Sequence, residues 1–337
     1  MKKNYLAWNI EYDNFFQQPL GRSRLEFLVQ FAVLAPSSHN SQPWKFEVGE
    51  NYIFIKPDFS KHLAVSDPEN RHLYIALGCA TENILVSADY YGLQTTVQYL
   101  PPERKDSAVK IYFKPALQPL KPNQHLIFSI ASRRSNRNKY TSRAPDAKFI
   151  ERIGQLSSNG ALVSLIQDKR EKKKVANILI ESRLNAFSNK AFRTEMANYK
   201  RTNFTSSPFG MPGFTLGINN LLSLVAPFLI KNFNIMKVIR KNEELLLNNH
   251  TPIFLFLNSK ENNPLSWLNM GQILQKIILE AEYFGIQTAM SALPPDVEPI
   301  QKILKTSYRP QMFLRAGYAI ASAKHSPRLQ AEETLIS

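Results

Sequence analysis

The chain has 337 residues, of which 44% are hydrophobic and 11% aromatic, and it carries a formal net charge of +15. That length suits two units of roughly 150 residues each, and the apolar share is ordinary for a globular protein with a large core. One cysteine, Cys79, excludes an intrachain disulfide and a cysteine-based metal site. The histidines (His39, His62, His72, His125, His250, His325) are scattered without metal-binding spacing, and neither phosphate-binding glycine loop, GxxxxGK[ST] or GxGxxG, is present. The positive charge would suit an anionic partner. Yet the lysines and arginines are spread along the chain, and their densest run, DKREKKK at 168–174, reads as a solvated helix face, so nucleic acid is not an expected partner.

In chain order, the N-terminus opens with two lysines, but Glu11 and Asp13 interrupt any apolar signal region, which predicts a cytoplasmic protein. Arg24 to Leu34 has amphipathic helical spacing and stops at Pro36. APSSHNSQPWKF (35–46) then places Ser37, Ser38, Asn40 and Gln42 in a turn stiffened by Pro36 and Pro43. Such a cluster can bind the edge of a flat polar heterocycle, or it can be an ordinary capped loop. Trp44–Val48 and Tyr52–Lys56 read as a hairpin, the stretch from residue 77 to Gly92 as a long helix, and Val109–Phe113 as a strand. Residues 115–124 are proline-rich and read as a linker.

After a helix over 124–132 comes ASRRSNRNKY (131–140). In an extended segment Arg133, Ser135 and Arg137 would point the same way. Two guanidinium forks and a hydroxyl suit a phosphate monoester, and they equally suit a solvated basic linker. A helix over 149–156, a strand over 161–166 and helical segments from 169 to about 200 follow. Residues 201–240 include the most hydrophobic stretch, FTLGINNLLSLVAPFLIKNF (214–233). Pro227 is expected to break it, and the run is too short to span a bilayer, so a buried helix or a lid is expected rather than stable membrane insertion. Pro252–Leu257 and Gln311–Gly317 read as buried strands, and Arg328 in the tail SPRLQAEETL either joins the phosphate site or is solvated.

The chain repeats itself. LGCATENILVSADYYGLQT (77–95) and MGQILQKIILEAEYFGIQT (270–288) align without gaps, matching Gly78 with Gly271, Ile84 with Ile277, Ala88 with Ala281, Tyr90 with Tyr283, and Gly92-x-Gln94-Thr95 with Gly285-x-Gln287-Thr288. Each copy is an amphipathic helix closed by a glycine suited to a left-handed C-terminal residue. Two half-repeats follow, each with a central helix and a mostly antiparallel sheet, an α+β pattern. The expected boundaries are 18–114, a linker at 115–124, and 125–333, with 201–240 as a lid insertion that has no counterpart in the first half.

The strings PSSHNSQPW and RRSNR, together with RPQMFLRAGYA followed by SPR and the segment DPENRHLYIALGCA, resemble the nitroreductase-like FMN flavoproteins, and most closely their Acg-type branch, in which two halves are fused. The resemblance covers about residues 20–333. It implies the nitroreductase-like fold and one FMN per chain. Arg133, Ser135, Arg137 and Arg328 would hold the phosphate, Pro36, Ser37, Ser38, Asn40 and Gln42 would cover the ring from the other half, and the backbone of Ser291 and Ala292 would lie near flavin N5. It further implies a monomer, since the dimer is fused, with NAD(P)H as electron donor and a nitroaromatic or quinone-like aromatic substrate as acceptor. No protein acid or base is obligatory, because the flavin carries the chemistry. The alternative is a protein that stores or sequesters FMN under a closed lid. The chain departs from the pattern at Ser326, where a lysine is common, and near Ser291 and Ala292, where a glycine is frequent. QLSSNGALVSL (155–165) and GRSR (21–24) leave the second, symmetric site degenerate.

Overall fold

The computed structural model describes residues 2–115, 124–158 and 160–336. Most of the proline-rich stretch that reads as a linker lies outside them. The first half contains α1 (Asn14–Gln17), α2 (Arg22–Ala32), β1 (Trp44–Val48), β2 (Tyr52–Pro57), α3 (Arg71–Tyr90), β3 (Leu93–Tyr99) and β4 (Val109–Pro115). The second opens with α4 (Gln124–Ser132), α5 (Ala147–Gly154), β5 (Ala161–Ile166), α6 (Lys169–Ser188), α7 (Lys190–Asn198), β6 (Lys200–Arg201), β7 (Met211–Pro212), α8 (Asn220–Asn232) and α9 (Met236–Asn249). It closes with β8 (Ile253–Ser259), α10 (Pro264–Tyr283), β9 (Gln287–Ser291), α11 (Glu298–Leu304), β10 (Arg309–Gly317) and β11 (Leu335–Ile336).

Two larger sheets result, beside a two-stranded pairing of β6 with β7, and the fold is the expected α+β. The first has strand order β11-β1-β2-β4-β3 and the second β5-β8-β10-β9. Within these two sheets all neighbours are antiparallel except β11, which lies parallel to β1 with Phe46 opposite Leu335. The C-terminal tail thus crosses from the second half into the first half's sheet. Strand β3 escaped the sequence reading because LQTTVQY is polar and only half-buried.

Between the sheets lie α3 and α10, and no other pair of elements packs more extensively. They cross at the paired glycines. A Cβ on Gly78 would stand 2.1 Å from the Leu268 carbonyl oxygen, and one on Gly271 would stand 2.1 Å from that of Ile75. Both helices end as their spacing predicts, with Gly92 and Gly285 left-handed at φ 73° and 68°.

Helix α6 packs Val175, Ala176, Leu179 and Ile180 against Phe254, Phe256 and Phe313 of the second sheet. Beyond it, Phe187, Ala197, Ile230 and Met236 form a small separate core that holds α7, α8 and α9 together. Pro227 does not break α8, which runs through it. A proline removes one amide donor and crowds the preceding turn, but neither effect stops the helix here.

Gly78→Ala should therefore lower stability by about 1–3 kcal/mol, because the crossing helices must part to admit one methyl group. Denaturant unfolding measures it. Gly154→Ala, with nothing within 4 Å of its Cβ position, should change stability by less than about 0.5 kcal/mol.

Candidate functional site

The loop between α2 and β1 has unusual backbone geometry. His39, Asn40 and Gln42 all have positive φ, at 54°, 57° and 54°. Non-glycine residues persist there only where their surroundings fix them, and the bonds that do so are explicit. The Gln42 amide N–H donates to Ser37 Oγ at 2.9 Å. The Asn40 carboxamide donates to the carbonyls of Gly210 (3.0 Å) and Pro327 (2.9 Å). The Gln42 carboxamide donates to the Pro208 carbonyl at 2.7 Å and accepts from the Leu329 amide at 2.9 Å. The loop is thereby tied to the 208–210 segment and to the C-terminal tail.

That tail delivers Arg328. Its guanidinium is buried, donating to Asn40 Oδ1 and to the carbonyls of Pro327 (3.0 Å) and Ala35 (3.3 Å). Arg133, also buried, donates to the Leu34 carbonyl. The Nε of each is buried with no hydrogen-bond partner, and among the described residues neither guanidinium has a carboxylate within ion-pair distance. Burial pushes Arg133 down to about 10, and burial followed by the charge of Arg133 holds Arg328 well below its ordinary value. Two buried guanidinium ions beside each other without an anion are costly. A phosphate monoester would supply the missing charge and the acceptors for both orphaned Nε–H groups.

The N-terminal turn covers this pair. Trp8 lies under both guanidinium carbons, at 5.8 Å from Arg133 and 5.1 Å from Arg328. Its indole stacks on His325 at 4.0 Å and donates to the Ser326 carbonyl at 2.8 Å. His325 is held neutral, down to about 4, by burial first and then by the nearby arginines. Asn4 joins the same seam, with its carbonyl accepting from the Arg328 amide and its side chain donating to Thr205 and Ser207.

A second group of cations lies farther along the 133–137 segment, which runs beside β9 through a bridge between Ser135 and Thr288. Here Arg137 donates weakly to the Thr215 carbonyl at 3.5 Å. Its field reaches Lys200, Arg315, Arg183 and His39. Lys200 is buried, and burial followed by Arg137 pushes its ammonium down to about 7. Burial, and then Lys200, hold His39 down to about 3. Arg183 donates to Ser291 Oγ at 2.6 Å and pairs with Glu243.

No family model matches the chain. Its sequence is similar to "Putative NAD(P)H nitroreductase Rv3131" of Mycobacterium tuberculosis, at 32% identity over 34% of this chain and 33% of that one. The chain thus spans about a third of the length of that curated relative. It is similar over far more of its length to "Putative NAD(P)H nitroreductase acg" of the same organism, at 22% identity over 86% of this chain and 88% of that one. Over most of its length the chain is thus similar in sequence to a protein named a putative NAD(P)H nitroreductase. Among solved structures, an FMN- and NADPH-dependent nitroreductase NfnB from Sphigopyxis aligns at 18% identity over 63% of this chain and 98% of that one, with a TM-score of 0.42.

The anticipated site residues fall into three places. Arg133 and Arg328 meet under Trp8, with Ser135 next along the segment and half-buried. Arg137 faces the second cation group instead. Pro36 is buried, Ser37 and Ser38 are half-buried in the loop, and Asn40 and Gln42 are buried and committed to the carbonyls named above. Ser291 ends β9, half-buried, and Ala292 is exposed. Sequence reasoning passed over Trp8, Lys200 and Arg315. Arg315 had a readable signal, a cation inside the apolar strand MFLRAGYA. Lys200 and Trp8 had none, since only tertiary packing buries them.

Lys200 gives a pH signature. Its ordinary value of 10.5 falls to about 7 in the fold, so between those values the unfolded chain holds a proton that the folded chain has released. Stability must then rise with pH across that window. The wild type should gain stability relative to Lys200→Met between about pH 7 and 10. Denaturant midpoints at several pH values measure the difference, and a constant difference would show that Lys200 ionises normally.

Proposed function

We propose that the chain binds one FMN and acts as a nitroreductase-type oxidoreductase, passing electrons from NADH or NADPH to a small nitroaromatic or quinone-like acceptor. The observation that carries this reading is the buried guanidinium pair without a carboxylate, set against the strained 36–42 loop by a tail that crosses between the halves. The names of the similar mycobacterial proteins support the same activity class.

On this reading Arg133, Arg328 and Ser135 hold the phosphate. Arg137 and Lys200 lie toward the ring end, where their field favours negative charge. Pro36, Ser37 and Ser38 border the ring, Asn40 and Gln42 tether the cover, and the backbone at Ser291 and Ala292 approaches N5. Bound FMN supplies the two-electron chemistry, and the chain supplies orientation, charge and exclusion of water. A cavity of about 850 Å³ lies between the 60–65 segment and α7. Tyr199 lines it, and its ring stacks against His39 of the loop at 5.7 Å.

One observation favours the alternative, FMN sequestered without turnover. The 208–210 segment is hydrogen-bonded directly onto the 36–42 loop, which is how a closed cover would be held. Anaerobic mixing with NADPH in a stopped-flow instrument separates the two. Reduction within seconds excludes storage. Slow reduction in the wild type that quickens in Gln42→Ala, which loses the Pro208 tether, establishes the cover as the barrier.

The purified protein should release one FMN per chain on heating. A charged hydrogen bond contributes about 1.5–3 kcal/mol, so Arg328→Ala and Arg133→Ala should each weaken FMN roughly tenfold or more. Riboflavin, which lacks the phosphate, should bind variants and wild type alike. FMN affinity unchanged by both substitutions would remove the phosphate assignment.

A further inference from the structure

Helix α8 presents an inverted face to solvent. At 100° per residue, Leu221, Val225 and Phe228 share one side, flanked by Leu222 and Leu224, and all five are exposed. Leu221 is 81% and Phe228 63% exposed, while Ser223, Ala226 and Ile230 on the opposite side are buried against the small core of α7 and α9. From Leu221 to Phe228 the outward face is therefore apolar, and Asn232 follows on the same side at the helix end. Phe233, just beyond the helix, extends it with its ring 6.5 Å from that of Phe228. A contiguous apolar patch of this kind marks a binding surface on a folded protein.

The charge around the patch identifies its partner. Between Lys190 and Lys241 the chain has seven lysines and arginines besides the buried Lys200, namely Lys190, Arg193, Arg201, Lys231, Lys237, Arg240 and Lys241, against a single acid, Glu195. The Glu195 carboxylate is already taken by the amides of Val65 and Ser66. Of the acids on the neighbouring helices, Glu243 pairs with Arg183, and Glu181 and Glu244 pair with Arg240. Lys231, Lys237 and Lys241 are exposed and are not ion-paired among the described residues. Arg193 lies beside Lys231, donating to its carbonyl at 3.3 Å. A second copy of the chain would bring this cationic rim against its own image, and the repulsion opposes a symmetric dimer.

We propose that the outer face of α8 docks onto an anionic lipid surface. An apolar helical face ringed by lysines lies in the plane of the headgroups, burying its hydrophobic side while the cations meet lipid phosphates. Among the described residues no single helix is long and apolar enough to cross a membrane, and α8 and α9 reach that length only as a pair bent by 110°. The geometry is that of surface attachment, which also gives part of the +15 charge a role. It does not depend on the flavin reading.

The test is flotation of the full chain with vesicles of phosphatidylglycerol and phosphatidylcholine, compared with phosphatidylcholine alone. Binding is expected to the anionic vesicles only, and to weaken at high salt. The double variant Leu221→Asp, Phe228→Asp should lose binding at least tenfold while keeping its circular dichroism spectrum. Lys231→Gln and Lys237→Gln leave the apolar face intact and should each weaken binding by about fivefold. Absent binding to anionic vesicles, or equal binding to neutral ones, overturns the proposal. So does a concentration-dependent dimer that the double aspartate variant abolishes without any vesicle binding, because the face then belongs to a second copy.

Discussion

The contact between Gly78 and Gly271 governs the geometry of everything built around it. With no side chain on either, α3 and α10 approach until each backbone touches the other's carbonyls. The close crossing brings polar groups into a dry interface and pairs them there. Gln275 donates to Asn83 at 2.6 Å, Asn83 donates to the Phe31 carbonyl at 2.8 Å, and Gln272 donates to the buried carboxyl of Glu82 at 3.2 Å. Burial raises Glu82 above the ordinary carboxyl range despite Lys276 nearby. Such bonds are expensive to break once buried, so they fix the register of the two helices and, through Phe31, the position of α2. The loop that follows α2 inherits that position.

Three distant parts of the chain then converge on that loop. The tail reaches it because β11 adds to β1, the 208–210 segment because Asn40 and Gln42 bind its carbonyls, and the N-terminal turn because Trp8 stacks between the arginines and His325. Each contact satisfies polar groups, yet together they leave two guanidinium ions buried without a counter-charge. Natural proteins rarely keep an unpaired buried cation for stability alone. The positive φ values at His39, Asn40 and Gln42 are a further local cost at the same place. Strain and unpaired charge at one spot are the physical mark of a site that an anion completes.

Much of this was readable in the sequence, and what was missed has specific causes. The repeat located α3 and α10 and both glycine ends, because a periodic apolar pattern with a shared glycine is carried by local residues. The PSSHNSQPW and RRSNR strings mark, for the same reason, the loop after α2 and the segment after α4. The sequence could not show that Arg133 and Arg137 serve different neighbours. Alternation places side chains on one side of a strand, but four residues of extended chain also separate them by about 13 Å. Nor could it show that Asn40 and Gln42 are occupied by carbonyls more than 160 residues away. Pro227 misled the reading because proline's helix-breaking tendency is a local prior, and the packing of Ser223, Ala226 and Ile230 outweighs it.

The helices α3 and α10 repeat in sequence, but the segments near them do not repeat in chemistry. The arginines of the faint GRSR segment stay at the surface of the first half. Arg22 pairs with Glu26 one helical turn away at 2.7 Å, and Arg24 donates to the Gln18 carbonyl at 3.2 Å and lies over the Phe15 ring. Both are held by neighbours close in sequence and have no need of an anion. On the other side, the segment that would repeat the 36–42 loop leads into β5 instead, with Ser157 Oγ accepting from the Val163 amide and Ser158 bridged to Ala161. Its hydroxyls close a hairpin-like turn rather than border a cavity. A symmetric pair of sites requires four such segments, and here two have become ordinary structure. The two similar helices thus share a frame, while the buried, uncompensated cations stand on one side only.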